Sequence, residues 1–135
     1  MTVKIRTITF DAGPDHYQVG RFWAELLGYG DAPDNPNHPD DPETRIVGPD
    51  GGPGILFLPV PESKSVKNRV HLDLEPEGET RDELVARAIG LGARLVADHR
   101  EPDGRGFVQL ADPAGNEFCV ERSTAERTGS GQPAT

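Results

Sequence analysis

Two helical stripes, each preceded by a β-type run and closed by a Leu-Gly pair, constrain this chain more than any other feature. In the first, Val19, Phe22, Trp23, Leu26 and Leu27 recur at i, i+3, i+4, i+7 and i+8 and end at Leu27-Gly28. That spacing lines one side of a helix with apolar groups. In the second, Leu84, Val85, Ala88 and Ile89 keep the helical period until Gly90 and Gly92, again after a Leu-Gly pair, Leu91-Gly92. Each start carries a cap signature, Asp15 three residues before Gln18 and Thr80 three before Glu83. A short oxygen-bearing side chain at that place accepts from a backbone N–H that the first helical turn leaves unpaired.

Between the stripes the periodicity switches to two. Residues 3–10 are rich in β-branched side chains, with Thr7 and Thr9 on one face and Ile8 and Phe10 on the other. Further strands are expected over 44–47, 54–60, 69–74, 93–97, 106–111 and 116–121. The run 31–43 holds four prolines among Asp and Asn and is expected to be a surface loop. The order predicts β-α-β-β-β in each half, with one strand of the first half not assigned to any of these runs, and so an α+β fold made by duplication, with module one over 3–60 and module two over 69–122. In 69–74, Val70, Leu72 and Leu74 share one face and Arg69, His71 and Asp73 the other. The tail 123–135 has no apolar residue larger than alanine and is expected to be disordered.

Composition narrows the function classes. A chain of 135 residues has the size of one domain able to bury a real core. A formal charge of −9, with no Lys/Arg run, argues against nucleic acid and membrane partners. Cys119 is the single cysteine, so no internal disulfide forms. The opening residues MTVKIRTITF lack the apolar run of a signal peptide, and a cytoplasmic location is expected.

Three strings, FWAELLG, NRVHLDL and ADPAGNEFCVE, together resemble the glyoxalase/bleomycin resistance protein/dioxygenase (vicinal oxygen chelate) superfamily, in particular its small bacterial glyoxalase-like members. The resemblance implies one domain over 1–122, with two paired βαβββ modules whose mixed sheets form a cup and whose helices lie outside. Ile8, Phe10, Val70, Leu72, Leu74, Phe118 and Val120 would then face the helices. Thr7, Thr9, His71, Asp73, Cys119 and Glu121 would line the pocket, with Gln109 and Arg69 as further polar lining.

Metal-dependent members set His, Gln or Glu ligands on the module strands. Here the resemblance puts His71 at one such position, but Thr7 and Cys119 at two others, and 54–60 offers only Leu and Phe. Thr, His and Cys suit an oxygen-rich octahedral ion poorly, so no catalytic metal or other cofactor is expected. A displaced divalent site on His71 and Glu121, with Cys119, is the weaker alternative, for zinc. His71 is the candidate catalytic group, a proton-transfer residue, against a structural histidine held by Asp73. Two residues apart on a strand, at roughly 6–7 Å, are too far for an automatic contact. Cys119 reads as a small hydrophobe rather than a nucleophile. Phe22 and Trp23 read as core, and His16, His38 and His99 as solvated. The functional expectation is a metal-independent protein or enzyme that binds or detoxifies an antibiotic or reactive metabolite. The alternative is a metal-dependent lyase, isomerase, dioxygenase or thiol transferase. Its partner is a small molecule, and a homodimer by module exchange is one of two assemblies the resemblance implies.

Overall fold

The first apolar stripe forms α1 (His16–Leu27), which starts at Asp15, whose carboxylate accepts from Gln18 N at 3.4 Å, and stops at Gly28, left-handed at φ 73°. The structure, a computed structural model, describes residues 1–129. Its chain divides into two compact units, Met1–Ser65 and Val66–Thr135. No helix among the described residues is long and apolar enough to cross a membrane.

In the first unit α1 packs on a sheet of β1 (Thr7–Asp11), β2 (Thr44–Ile46) and β3 (Gly54–Leu58), in the order β1-β3-β2. β1 runs parallel to β3, with Phe10 opposite Phe57, and β2 antiparallel. Trp23 is fully buried, edge-on to Phe10 at 5.3 Å and to Phe22 at 5.6 Å, so the core reading of Phe22 and Trp23 holds. His16 is corrected. It is buried rather than solvated, with Nδ1 2.8 Å from Thr44 Oγ1. Gly20 lets the helix come this close, since a Cβ there would meet Thr44 Cγ2 at 2.5 Å.

The expected third strand after the helix is not found among the described residues. The proline-rich run, expected as a loop, is tied to β2 by a side chain. Asn37 Nδ2 donates to Arg45 O at 2.7 Å, and Arg45 N donates to Asn37 Oδ1 at 3.1 Å. One amide thus satisfies both backbone groups of Arg45, as a neighbouring strand would. Only the bridges Gly30–Val47 and Ala32–Asn35 remain of regular pairing. β1 also begins later than residue 3, because ladder partners begin at Thr7; Val3 and Ile5 are exposed.

The second unit contains β4 (Asp73–Leu74), α2 (Arg81–Leu91), β5 (Arg94–Asp98), β6 (Val108–Ala111), β7 (Glu117–Val120) and α3 (Thr124–Gly129). Its sheet has the order β4-β7-β6-β5, β4 parallel to β7 and the other pairs antiparallel. The capping box of α2 is complete: Thr80 N donates to Glu83 Oε1 at 2.8 Å and Glu83 N to Thr80 Oγ1 at 3.1 Å. Leu84 and Ala88 are buried, as are Val108, Leu110, Phe118 and Val120 on the sheet. The α+β class expected from the sequence is therefore the class of the fold.

β4 is shorter than the expected 69–74 strand. It lies at a sheet edge, and ahead of it β7 is reached by one backbone bond, Cys119 N to Leu72 O at 2.9 Å, and by side chains, with Asn68 N donating to Glu117 Oε1 and Asn68 Nδ2 to Glu117 O. Val70, expected against the helices, is 77% exposed. The tail departs from the expectation at α3, whose N-cap Ser123 forms a second capping box: Ser123 N donates to Glu126 Oε1 and Glu126 N to Ser123 Oγ. The rest of the expected disordered tail, 130–135, lies outside the described residues.

Candidate functional site

The register of three neighbouring strands builds the site. Asp73 on β4 pairs with Cys119 on β7, and Cys119 pairs with Gln109 on β6. Residues paired in register point to the same side of a sheet, so Asp73, Cys119 and Gln109 form one row across it. His71 joins this row from just ahead of β4. Its Nδ1 lies 3.3 Å from Asp73 Oδ1 and 3.8 Å from Cys119 Sγ. The regular strand starts only at Asp73, so the imidazole is free of the strand geometry that would hold it a full repeat away.

Exposure grades across the group. The His71 and Asp73 side chains are 38% and 52% exposed, whereas Cys119 and Gln109 are buried. Burial pushes the Cys119 thiol up to about 11, and the charge of Asp73, with a hydrogen bond to it, adds to the effect. The thiol is therefore protonated at neutral pH, which agrees with the reading of Cys119 as no nucleophile.

Of the expected pocket residues, the structure gathers His71, Asp73, Gln109 and Cys119. Thr7 and Thr9 sit on β1 of the first unit, Thr7 half-buried and Thr9 exposed. Glu121 continues the ladder, its N donating to Leu74 O at 2.9 Å, but its carboxylate lies 4.0 Å from Arg127 Nη1. It borders a cleft with Arg105, Gly106, Arg122 and Arg127. Arg69 is exposed ahead of β4. The contact of Asp73 with His71 is what spacing along one strand misses, because His71 lies ahead of the regular strand; the pairing of β4 with β7 then sets Cys119 beside Asp73.

The donor set can be tested for an ion. Among the described residues, the ligand atoms of His71, Asp73 and Cys119 lie within 4.8 Å of one another, and Glu121 is not in the group. A tetrahedral zinc ion, with bonds of about 2.0 Å to N and O and about 2.3 Å to S, spaces its ligands roughly 3.3–3.6 Å apart. The His71–Asp73 separation of 3.3 Å matches and the His71–Cys119 separation of 3.8 Å is slightly wide. One imidazole, one carboxylate and one thiol fit zinc better than an octahedral, oxygen-liganded ion.

Folds of this kind recur among solved structures. A glyoxalase-related enzyme from Fulvimarina pelagi superposes with a TM-score of 0.64 at 18% identity, covering 89% of this chain and 88% of that one. The oxidase ChaP-H2 gives 0.62 at 22% identity, over 91% and 94% of the two chains. The E126Q mutant of the fosfomycin resistance protein FosX from Listeria monocytogenes, complexed with Mn(II) and 1S,2S-dihydroxypropylphosphonic acid, gives 0.62 at 15% identity, over 93% and 95%. At these identities the likeness is one of fold. No curated protein matches. The family model for a glyoxalase-like domain matches residues 7–121, and the chain belongs to that family.

Proposed function

We propose that the chain is a glyoxalase-like protein that binds a small molecule beside His71 and, where it acts on that molecule, uses His71 to move a proton without a metal. The observation that carries this reading is the Nδ1–Asp73 contact of 3.3 Å. A carboxylate that accepts from Nδ1–H orients the ring and leaves the lone pair on Nε2, the arrangement of a general base. Cys119, protonated and buried, supplies shape and a weak donor rather than a nucleophile. An antibiotic or reactive metabolite as ligand is supported by the fosfomycin resistance proteins among the structural relatives. The same fold in an oxidase widens the range of chemistry it accommodates.

The spacing of His71, Asp73 and Cys119 favours a second reading, a divalent ion on these three donors that polarises a substrate oxygen. The two readings use Nδ1 oppositely, as a proton donor to Asp73 or as a metal ligand. A thermal-shift screen of antibiotics and reactive carbonyl compounds, with and without chelator, tests the first. The expected result is a Tm rise indifferent to chelator and lost in His71→Ala, since a ligand at 100 times its Kd stabilises by about 2.7 kcal/mol. Stoichiometric metal in protein purified without chelator, lost in both His71→Ala and Cys119→Ala, would overturn it in favour of the second.

A further inference from the structure

No Lys/Arg run marks the sequence, yet the fold of the second unit gathers guanidinium groups around one cleft. We propose that this cleft, lined by Arg105, Gly106, Glu121, Arg122 and Arg127, is an oxyanion site that takes a phosphate group, free or as a monoester. It shares no residue with the His71, Asp73 and Cys119 group and does not rest on the function proposed for that group.

Three guanidinium groups face one carboxylate in a space of about 240 Å³, within a chain whose formal charge is −9. Arg105 and Arg127 each have an acid at hand, Asp103 and Glu75, so the cleft is near charge balance and the guanidinium of Arg122 is the one an incoming anion meets without an ion-pair partner among the described residues. Arg122 is the anchor. It is only 7% exposed, and its Nη1 is buried with no hydrogen-bond partner in the protein. A buried charged donor without an acceptor is a standing cost, which the field of an anion bound in the cleft lowers. Arg81 adds to the positive field. It is buried too and has an unpartnered Nε, and its charge, opposed by Arg100 and Arg122, is met in part by Glu126 and Asp82.

The cleft is pinned before any ligand arrives. Arg81 Nη1 donates to Gly106 O at 3.1 Å and Nη2 to Gly104 O at 2.9 Å, which fixes the loop between β5 and β6. Gly106 sits at φ +96°, and a Cβ there would come within 2.2 Å of His99 O, so the loop admits only glycine at its closest approach. The anion must compete with acids already present. Arg105 holds Asp103 at 2.6 Å, and Arg127 holds Glu75 at 2.8 Å and Glu121 at 4.0 Å. Each guanidinium has five N–H donors in a planar fork, so one carboxylate at Arg105 and two at Arg127 do not exhaust them.

The test is a titration of the full chain with inorganic phosphate, in parallel with methyl phosphate, at ionic strength held constant with chloride, following the arginine Nε–H resonances and Tm. The expected result is saturable movement of the Arg105, Arg122 and Arg127 signals and a rising Tm. Arg105→Gln and Arg127→Gln should each weaken binding about tenfold, and Glu121→Gln should strengthen it, by removal of the competing charge. Arg87→Gln, which breaks the pair of Arg87 on α2 with Glu79 ahead of it, should change nothing. Arg122 is buried in the fold and is read through its own resonance instead of by replacement. Movement with methyl phosphate as well assigns the site to monoesters, and movement with inorganic phosphate alone assigns it to the free ion. Shifts that chloride reproduces, that persist in Arg105→Gln and Arg127→Gln, or that are absent at tens of millimolar phosphate would overturn the proposal.

Discussion

At Cys119 two influences point the same way. Burial raises the thiol, and the carboxylate of Asp73 beside it raises it further, to about 11. Alkylation at pH 8 is therefore expected to be slow for the folded protein, and Asp73→Asn should speed it several-fold by lowering that value. Thiolate absorbance against pH measures the midpoint directly, and a midpoint below 9 would contradict the geometry. The sign for stability follows: the folded value exceeds the ordinary 9.0, so the contribution is complete below pH 9 and fades as pH climbs towards 11. Asp98 behaves in the opposite sense. Arg100 Nε and Nη2 donate to its carboxylate and the Arg100 backbone N–H to Oδ1, and it is held down to about 2. Its contribution is present above pH 4 and lost as pH falls through 2. A carboxyl titration by NMR in low and high salt should show that depression shrink with salt, since the pair is on the surface.

At the scale of elements, what could be read from the sequence was what is local. Both helices start at their capping residues and stop at glycine, because a cap is a contact between residues three apart and an apolar stripe needs only its own period. Thr80→Ala should cost about 0.5–2 kcal/mol through loss of one such contact. Strand ends depend on a partner elsewhere in the chain, and there the β-type pattern runs past the ladder. Val3, Ile5 and Val70 look like strand residues but have no ladder to join among the described residues, and the tie of Asn37 to both backbone groups of Arg45 is one that no periodicity announces. The same limit applied at the site. His71 and Cys119 were legible as positions within familiar strings, while the place of Asp73 between them needed the β4–β7 register. Gly20 shows how tightly the elements then fit. An added methyl would strike Thr44 Cγ2 at 2.5 Å and disturb the buried His16–Thr44 hydrogen bond. Gly20→Ala should thus destabilise by about 1–3 kcal/mol in denaturant unfolding, whatever it adds to helix propensity.

On the scale of the whole molecule, the question is whether 1–122 behaves as one domain, as the element order suggested, or as two. We propose that it unfolds as one. Each compact unit, Met1–Ser65 and Val66–Thr135, is of a size at which a chain buries only about 60% of the surface it exposes when unfolded and is correspondingly marginal alone. Each unit also carries one very short strand, β2 of three residues in the first and β4 of two in the second. Trp23 is the only tryptophan and is fully buried in the first unit, so its fluorescence reports that unit alone, while amide exchange of Leu110, Phe118 and Val120 reports the second. A single cooperative unit requires both probes to share one urea midpoint and one m-value, and a destabilising change in one half, such as Gly20→Ala, to lower the exchange protection of the other. Separate midpoints, with Gly20→Ala moving only the tryptophan transition, would mean that the two halves are domains in their own right.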